Sequence, residues 1–276
     1  GRVRSRAKAE VQAEVRRLAD RGYKEVVLTG IHLSSYGADF PGQTENLLSL
    51  IQTVHQVEGI TRIRLGSLEP RVITEEFVQS LKALPKVCPH FHLSLQSGCQ
   101  ETLRRMNRRY TAQEYFEKCE LLRKYYGNPA LTTDVIVGFP QESPEDFVES
   151  YDFVERVRFY ETHIFKFSRR KGTRADKMDG QIPEPEKTRR SERLLELGDR
   201  RAREYEEGFL GKCLEVLLEE EITLEGQAYL VGHSREYVKA AVLACGHQVN
   251  DCVQLVPRGF LKPHLLVGDV PGAGRE

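Results

Sequence analysis

Hydrophobic positions over the first two thirds of the chain switch repeatedly between two periods. Apolar, β-branched runs recur at residues 25–29, 62–67, 91–95, 132–138 and 161–167, and each predicts a strand. Between them, apolar residues fall at helical spacing: Leu47, Ile51 and Val54; Phe77, Leu81 and Leu84; Tyr115, Cys119, Leu122 and Tyr126; Phe147, Tyr151 and Val154. Two helix starts carry their own signals. Thr111 with Glu114 three residues on is a capping box, and Ser143-Pro144 sets proline at the first helical position with Glu145 and Asp146 beside it. Strands alternating with helices every 30–40 residues or so predict βαβ units and a parallel sheet. The first helical pattern, about residues 5–21 with Val11, Val15 and Leu18 on one face, follows no strand. In a repeating β/α architecture such a helix closes a unit, so the expected fold is a partial (β/α)6 barrel lacking its first strand.

The pattern changes beyond residue 180. A proline-bearing linker at residues 181–186 precedes a charged helix running to about residue 207. After Gly208, short alternating runs occur at residues 213–218, 227–231, 237–243, 252–256 and 265–267. Five short strands in so few residues predict a small closed β-barrel of the OB-like kind. The expected division is therefore residues 1–208, residues 209–270 and a frayed tail at residues 271–276.

Composition narrows the class. With 39% hydrophobic and 30% charged residues in 276, the chain can bury a core, which excludes global disorder. No run approaches the roughly 20 apolar residues of a membrane span, and the six cysteines show neither C-x-x-C nor metal-ligand spacing. No disulfide framework is expected, no membrane partner, and a cytoplasmic setting. Lys+Arg and Asp+Glu are both 41, so net charge makes no case for nucleic acid. The distribution does: residues 166–177 hold Lys166, Arg169, Arg170, Lys171, Arg174 and Lys177 against Asp176 alone. Such a cluster is either a solvated loop or a docking point for a polyanion. The chain begins at Gly1 with no Met, which suggests a trimmed product or a fragment.

In parallel β/α folds the ligand sits at the C-terminal ends of the strands. The residues there are Thr29, Gly30, Ile31 and His32; Ser67, Leu68, Glu69 and Pro70; Gln96, Ser97 and Gly98; Gly138, Phe139 and Pro140; and Ser168, Arg169 and Arg170. They are small or polar, as an adenosine- or phosphate-bearing ligand requires, although glycine and proline also simply turn the chain. His163 lies inside a strand and His32 follows one, with structural and ligand roles both open. Cys119 sits on an apolar helix face, a core position. No Ser/His/Asp set, P-loop or H-E-x-x-H is present.

The segments GRVRSR, LTGIHLSSYG, RIRLGSLEP, HLSLQSGCQETLRRMNRRYT, TTDVIVGFP and HIFKFSRRKGTRA, in this order, resemble the radical S-adenosylmethionine (SAM) tRNA methylthiotransferases. GHSREYVKA resembles their C-terminal TRAM domain. IHLSSYG, SLEP and FSRRKGTRA resemble the MtaB branch, which implies methylthiolation at C2 of N6-threonylcarbamoyladenosine at position 37 of tRNA. The alternatives are the MiaB branch, acting on isopentenyladenosine, a non-catalytic RNA-binding remnant, and an unrelated β/α-barrel enzyme. Gln141-Glu142-Ser143 departs from the family's commoner Gly-Glu-Thr.

The resemblance implies a 4Fe-4S cluster that cleaves SAM to a radical, a second 4Fe-4S cluster supplying sulfur, and an external electron donor. The family's C-x-x-x-C-x-x-C is expected upstream of Gly1, so this chain would hold no metal ligands and would be inactive by itself. Thr29 and Gly30 would lie at the methionyl end of SAM. Glu69, Gln96 and Ser97 would face its ribose and sulfonium, with Ser67 at a neighbouring strand end, and Arg108 would pair with a carboxylate. Strand Asp134 to Gly138 and the His163 and Phe165 strand would flank adenine through backbone groups. The tRNA anticodon arm is expected against Lys166, Arg169, Arg170, Lys171 and Arg174, and against His233, Arg235 and Tyr237 of the barrel, where Tyr237 would stack on a base or fill the core.

Overall fold

The structure is a computed structural model that describes residues 3–43 and 45–271. The tail at residues 272–276 and the first two residues of GRVRSR lie outside the described residues. In chain order the elements are α1 (Lys8–Asp20), β1 (Glu25–Leu28), α2 (Leu47–His55), β2 (Arg62–Leu65), α3 (Glu75–Lys82), β3 (His90–His92), α4 (Gln100–Arg105), α5 (Ala112–Tyr126), β4 (Ala130–Val137), α6 (Pro144–Val157), β5 (Glu161–Lys166), α7 (Glu184–Glu207), and then β6 (Leu214–Leu224), β7 (Gln227–Ser234), β8 (Lys239–Leu243), β9 (Cys252–Lys262) and β10 (Leu265–Asp269). The mixed α/β class and the β-rich C-terminal part follow the sequence reading.

The chain forms two compact units. The first is drawn from Gly1–Gly66, Ser80–His90 and Arg203–Glu276. In it, β1 and β2 pair in parallel with Glu25 opposite Arg62 and Leu28 opposite Leu65. Ile51, Val54, Ile60 and Ile63 are buried. The C-terminal strands close into a barrel in the order β10-β8-β7-β6-β9. Among the described residues β8 and β10 pair in parallel and the barrel's other strand pairs are antiparallel, the arrangement of an OB-like Greek-key barrel. Leu214, Val216, Leu230, Ala240, Val253, Leu255 and Leu266 fill its interior. At Gly232 a Cβ would fall 1.7 Å from the Leu217 carbonyl oxygen, so the close approach of β7 to β6 requires glycine.

Two arginines tie β2 to this barrel. Arg62 donates to the Glu215 carboxylate (3.1 Å), the His233 carbonyl (2.8 Å) and the Glu215 carbonyl (2.6 Å). Arg64 donates to Glu25 (2.7 Å) and to the carbonyls of Ser234 (2.6 Å) and Arg235 (3.1 Å). Both guanidinium groups are buried, which is tolerable because carboxylates and carbonyls take up their donors.

The second unit is Ser67–Gln79 with Phe91–Ala202. β3, β4 and β5 lie side by side, with β4 and β5 parallel and Asp134 opposite His163. Phe91, Leu93 and Leu95 pack inward with Tyr115, Cys119, Leu122, Val135 and Phe159. The buried Tyr115 hydroxyl donates to the Leu93 carbonyl at 2.6 Å. Both helix starts read from sequence form capping boxes, Thr111 with Glu114 and Ser143 with Asp146. The 181–186 linker is shorter than expected, because α7 begins at Glu184 and takes Pro185 into its first turn.

Candidate functional site

Strand alternation in the second unit builds a polar row. In the FHLSL segment, Phe91, Leu93 and Leu95 are buried, which leaves His92 and Ser94 on the opposite face. Parallel register brings Asp134 and His163 onto the same rung of β4 and β5. His92 Nε2 lies 3.2 Å from Asp134 Oδ2, and His163 Nδ1 lies 3.3 Å from Asp134 Oδ1. Ser94 Oγ donates to Asp134 Oδ2 at 3.2 Å and meets Ser67 Oγ at 3.0 Å. His92 Nδ1 is 2.9 Å from Thr132 Oγ1. The hydrogen bond from His92, with the neighbouring imidazoles and Ser94, holds the Asp134 carboxyl below its ordinary range despite partial burial.

Gln96 closes the row at the end of the β3 segment. Its φ is +71°, an uncommon conformation for a residue with a side chain. Two bonds to β4 hold it: its N–H donates to the Asp134 carbonyl and its carbonyl accepts from Ile136 N–H, both at 2.8 Å. Tyr110 supports the same strand by donating to the carbonyls of Ser94 (3.0 Å) and Leu95 (2.9 Å), and burial pushes its hydroxyl up to about 12.

The other predicted residues are distributed differently. Ser97 turns inward, where its buried hydroxyl accepts from Cys99 N–H at 3.2 Å. Glu69 is half-buried and pairs with Arg71 at 3.9 Å, and Arg108 is exposed beyond α4. Phe165 is exposed two residues beyond His163 on β5. Gly138 has its N–H committed to Glu142 Oε1 at 2.9 Å, and Glu142 in turn meets Arg190 at 2.6 Å, with both side chains buried. In the first unit, Thr29 and Gly30 follow β1 directly and are exposed.

The basic loop after β5 is organised by its one acid. Asp176 accepts from Arg169 Nε at 3.0 Å and from Gly172 N–H at 3.3 Å. Arg170, Lys171 and Arg174 are left exposed, while Lys166 pairs with Glu184 at 2.7 Å. In the first unit, Tyr237 (φ +68°) stacks on His90 at 3.9 Å and lies 5.0 Å from the His233 ring. Arg235 donates to the carbonyls of Pro85 and Val87, and His233 Nδ1 is 2.8 Å from Glu219. These barrel side chains bond internally rather than standing free.

His92, Ser94, Arg62 and Arg64 are not among the candidates that sequence motifs single out. Their signal is the alternation itself: a polar residue at every second position of an otherwise apolar strand marks a second face with its own partners.

Residues 1–154 match the family described as the radical SAM superfamily. The chain belongs to that superfamily. It is 40% identical over 257 residues to the threonylcarbamoyladenosine tRNA methylthiotransferase MtaB of Bacillus subtilis, covering 92% of this chain and 56% of the relative. It is 41% identical over 219 residues to the tRNA-2-methylthio-N(6)-dimethylallyladenosine synthase of Acetivibrio thermocellus, covering 79% of this chain and 45% of the relative. The chain thus spans about half the length of the curated relatives it matches. Among solved structures, coproporphyrinogen III oxidase (HemN) from Escherichia coli has a TM-score of 0.51 at 15% identity over 74% of this chain and 48% of its own, a likeness of fold.

The radical SAM superfamily uses SAM with a 4Fe-4S cluster, and methylthiotransferases carry two clusters. A cluster needs converging thiolates. Cys88, Cys99 and Cys119 are buried on separate segments, and burial pushes the Cys99 thiol up to about 11 and that of Cys119 to about 12. Cys213, Cys245 and Cys252 are exposed. No three cysteines converge among the described residues, so they do not fit as cluster ligands. The hydroxyl, carboxylate and amide groups of Ser67, Ser94, Asp134 and Gln96 do fit the needs of a ribose and an adenine edge. No helix of the described residues is long and apolar enough to cross a membrane.

Proposed function

We propose that this chain is the SAM-binding and RNA-binding part of a cytoplasmic tRNA methylthiotransferase acting at C2 of N6-threonylcarbamoyladenosine next to the anticodon. The observation that carries this reading is the extent of the MtaB relative's match, 257 residues at 40% identity against 219 for the dimethylallyladenosine synthase. The motifs IHLSSYG, SLEP and FSRRKGTRA support it independently. The second reading, a methylthiotransferase for isopentenyl-type adenosines, draws on the similar identity of the synthases.

In this reading residues 1–208 are the radical SAM part and residues 209–270 a TRAM-like barrel, a division by hydrophobic pattern that differs from the two compact units. The polar row of the second unit supports binding of the ribose and adenine of SAM. The roles of Thr29, Gly30, Glu69 and Arg108 rest on the resemblance. The exposed Arg170, Lys171 and Arg174 support pairing with phosphates.

Binding of anticodon stem-loops to this chain tests the reading. A stem-loop carrying N6-threonylcarbamoyladenosine at position 37 is expected to bind more tightly than one carrying isopentenyladenosine. Equal affinity would remove the substrate assignment. Replacing Arg170, Lys171 and Arg174 with Ala is expected to weaken all stem-loops alike. It should also flatten log K against log salt by about 0.7–0.9 for each phosphate that is no longer neutralised. An unchanged slope would remove the loop from the RNA face.

A further inference from the structure

We infer that His92, Asp134 and His163 form a binding site for a first-row divalent cation of the Zn2+ or Fe2+ class, distinct from any cluster. Each ligand comes from a different neighbouring strand of one sheet, so the backbone ladder sets their spacing. One nitrogen of each imidazole and a carboxylate oxygen lie within 4.8 Å of one another. His92 Nε2 is 3.2 Å from Asp134 Oδ2 and His163 Nδ1 is 3.3 Å from Oδ1, so each imidazole faces its own oxygen of the one carboxylate. Ligands bound at about 2.0–2.1 Å in a tetrahedral site stand about 3.3 Å apart, so both separations already suit a shared ion.

The surroundings prepare the imidazoles for this role. Without an ion, His92 Nε2–H donates to Asp134; when an ion takes Nε2, the ring proton moves to Nδ1, where Thr132 Oγ1, 2.9 Å away, is in place to accept it. Glu161 Oε2 lies 3.7 Å from His163 Nε2, on the far side of the ring from the nitrogen that faces Asp134. Ser94 Oγ donates to Asp134 Oδ2 and holds the carboxylate in place. The Thr132 and Ser94 hydrogen bonds are of the outer kind that fix ring tautomer and carboxylate position in metal sites. In the hydrogen-bonded arrangement, protons on the imidazoles satisfy the Asp134 carboxylate, and an ion would take their place among the three groups. A divalent cation supplies positive charge to all three groups at once. The set of two histidines and one carboxylate leaves further positions for water or a substrate oxygen. The His163 side chain is 50% exposed, which gives the ion an entry path.

The ion site shares Asp134 with the polar row assigned to SAM, but it rests on the geometry of the two imidazoles and the carboxylate and not on that assignment. Anaerobic Co2+ titration of the metal-free chain tests it, because Co2+ reports its ligands in the visible and near-ultraviolet. A single d–d spectrum without a thiolate charge-transfer band is expected. His92→Asn or His163→Asn should abolish that spectrum or weaken binding by at least about tenfold, and Thr132→Val should weaken it by roughly ten- to hundredfold. His163→Asn alters a half-exposed side chain, so its fold, checked by circular dichroism, is expected to be intact. The inference is overturned if no d–d band forms, if the only band is thiolate in origin, or if folded His163→Asn binds Co2+ as the unaltered chain does. In the last two cases the ion sits elsewhere. In the first, the three groups form only a hydrogen-bonded relay.

Discussion

At Gly138, two independent constraints select the residue. Its φ is +72°, and a Cβ there would lie 2.4 Å from Cγ of Lys187, a side chain held by its bond to the Phe167 carbonyl at 2.9 Å. Gly138→Ala is therefore expected to cost about 1–3 kcal/mol, read as a lower urea midpoint, and an unchanged midpoint would show that the loop relaxes freely. The carboxylates around Arg190 respond to pH in opposite directions. Burial raises Glu142 against the pull of the Gly138 N–H and Arg190, so the fold favours its protonated form and loses stability as pH rises through its folded-state pKa. Arg189 and then Arg190 hold Glu186 down to about 2, so its contribution is present above its ordinary value of 4.5 and is lost as pH falls toward about 2. Glu186 remains partly solvated, which keeps the effect modest. Between pH 4.5 and 2, Glu186→Gln is expected to show a shallower fall in melting temperature than the unaltered chain. Parallel falls would mean that other carboxylates dominate.

Among the elements, β2 carries the strongest test, because its two arginines join it to strands far along the chain. Arg62 bonds to groups 153 and 171 residues away. Arg62→Met would keep the volume and leave the carbonyls of His233 and Glu215 without their donor, at about 1–3 kcal/mol for each orphaned group. The expected result is a lower unfolding midpoint with faster amide exchange in β6 and β7, and unchanged exchange there would show that the barrel does not depend on β2. These same bonds mark where sequence reading stops. The period-two pattern locates β1 to β5 and the starts of the barrel strands to within a few residues, since alternation and β-branching act locally. It reads RIRL as a strand but not what its charged face meets, which depends on strand pairing across the whole chain. The same limit hides His92: FHLSL shows that His92 and Ser94 share a face, while their partners Asp134 and His163 come from two later strands. The helix α4 escapes sequence reading for a different reason, since its six residues are too few to display a helical period.

Across the molecule, charge balances to zero and the thiols do not converge among the described residues. With bases and acids balanced at 41 each, the RNA binding proposed above would have to come from local groups such as the exposed cations of the loop after β5. The six cysteines are likewise divided, three buried thiols and three exposed ones, with no converging set among the described residues. Anaerobic reconstitution of this chain with iron and sulfide is therefore expected to yield no stoichiometric 4Fe-4S cluster. Iron alone would be a misleading readout, because the His92, Asp134 and His163 set would take up iron through nitrogen and oxygen. Acid-labile sulfide is the discriminating analyte: iron without sulfide fits both expectations, whereas near-stoichiometric sulfide would show that the cysteines rearrange to bind a cluster. SAM should then bind this chain only weakly, since strand-end hydrogen bonds must offset the entropic cost of association without a cluster to anchor the amino acid end. Calorimetry with SAM decides this, and micromolar affinity would mean that the polar row of the second unit carries the binding by itself.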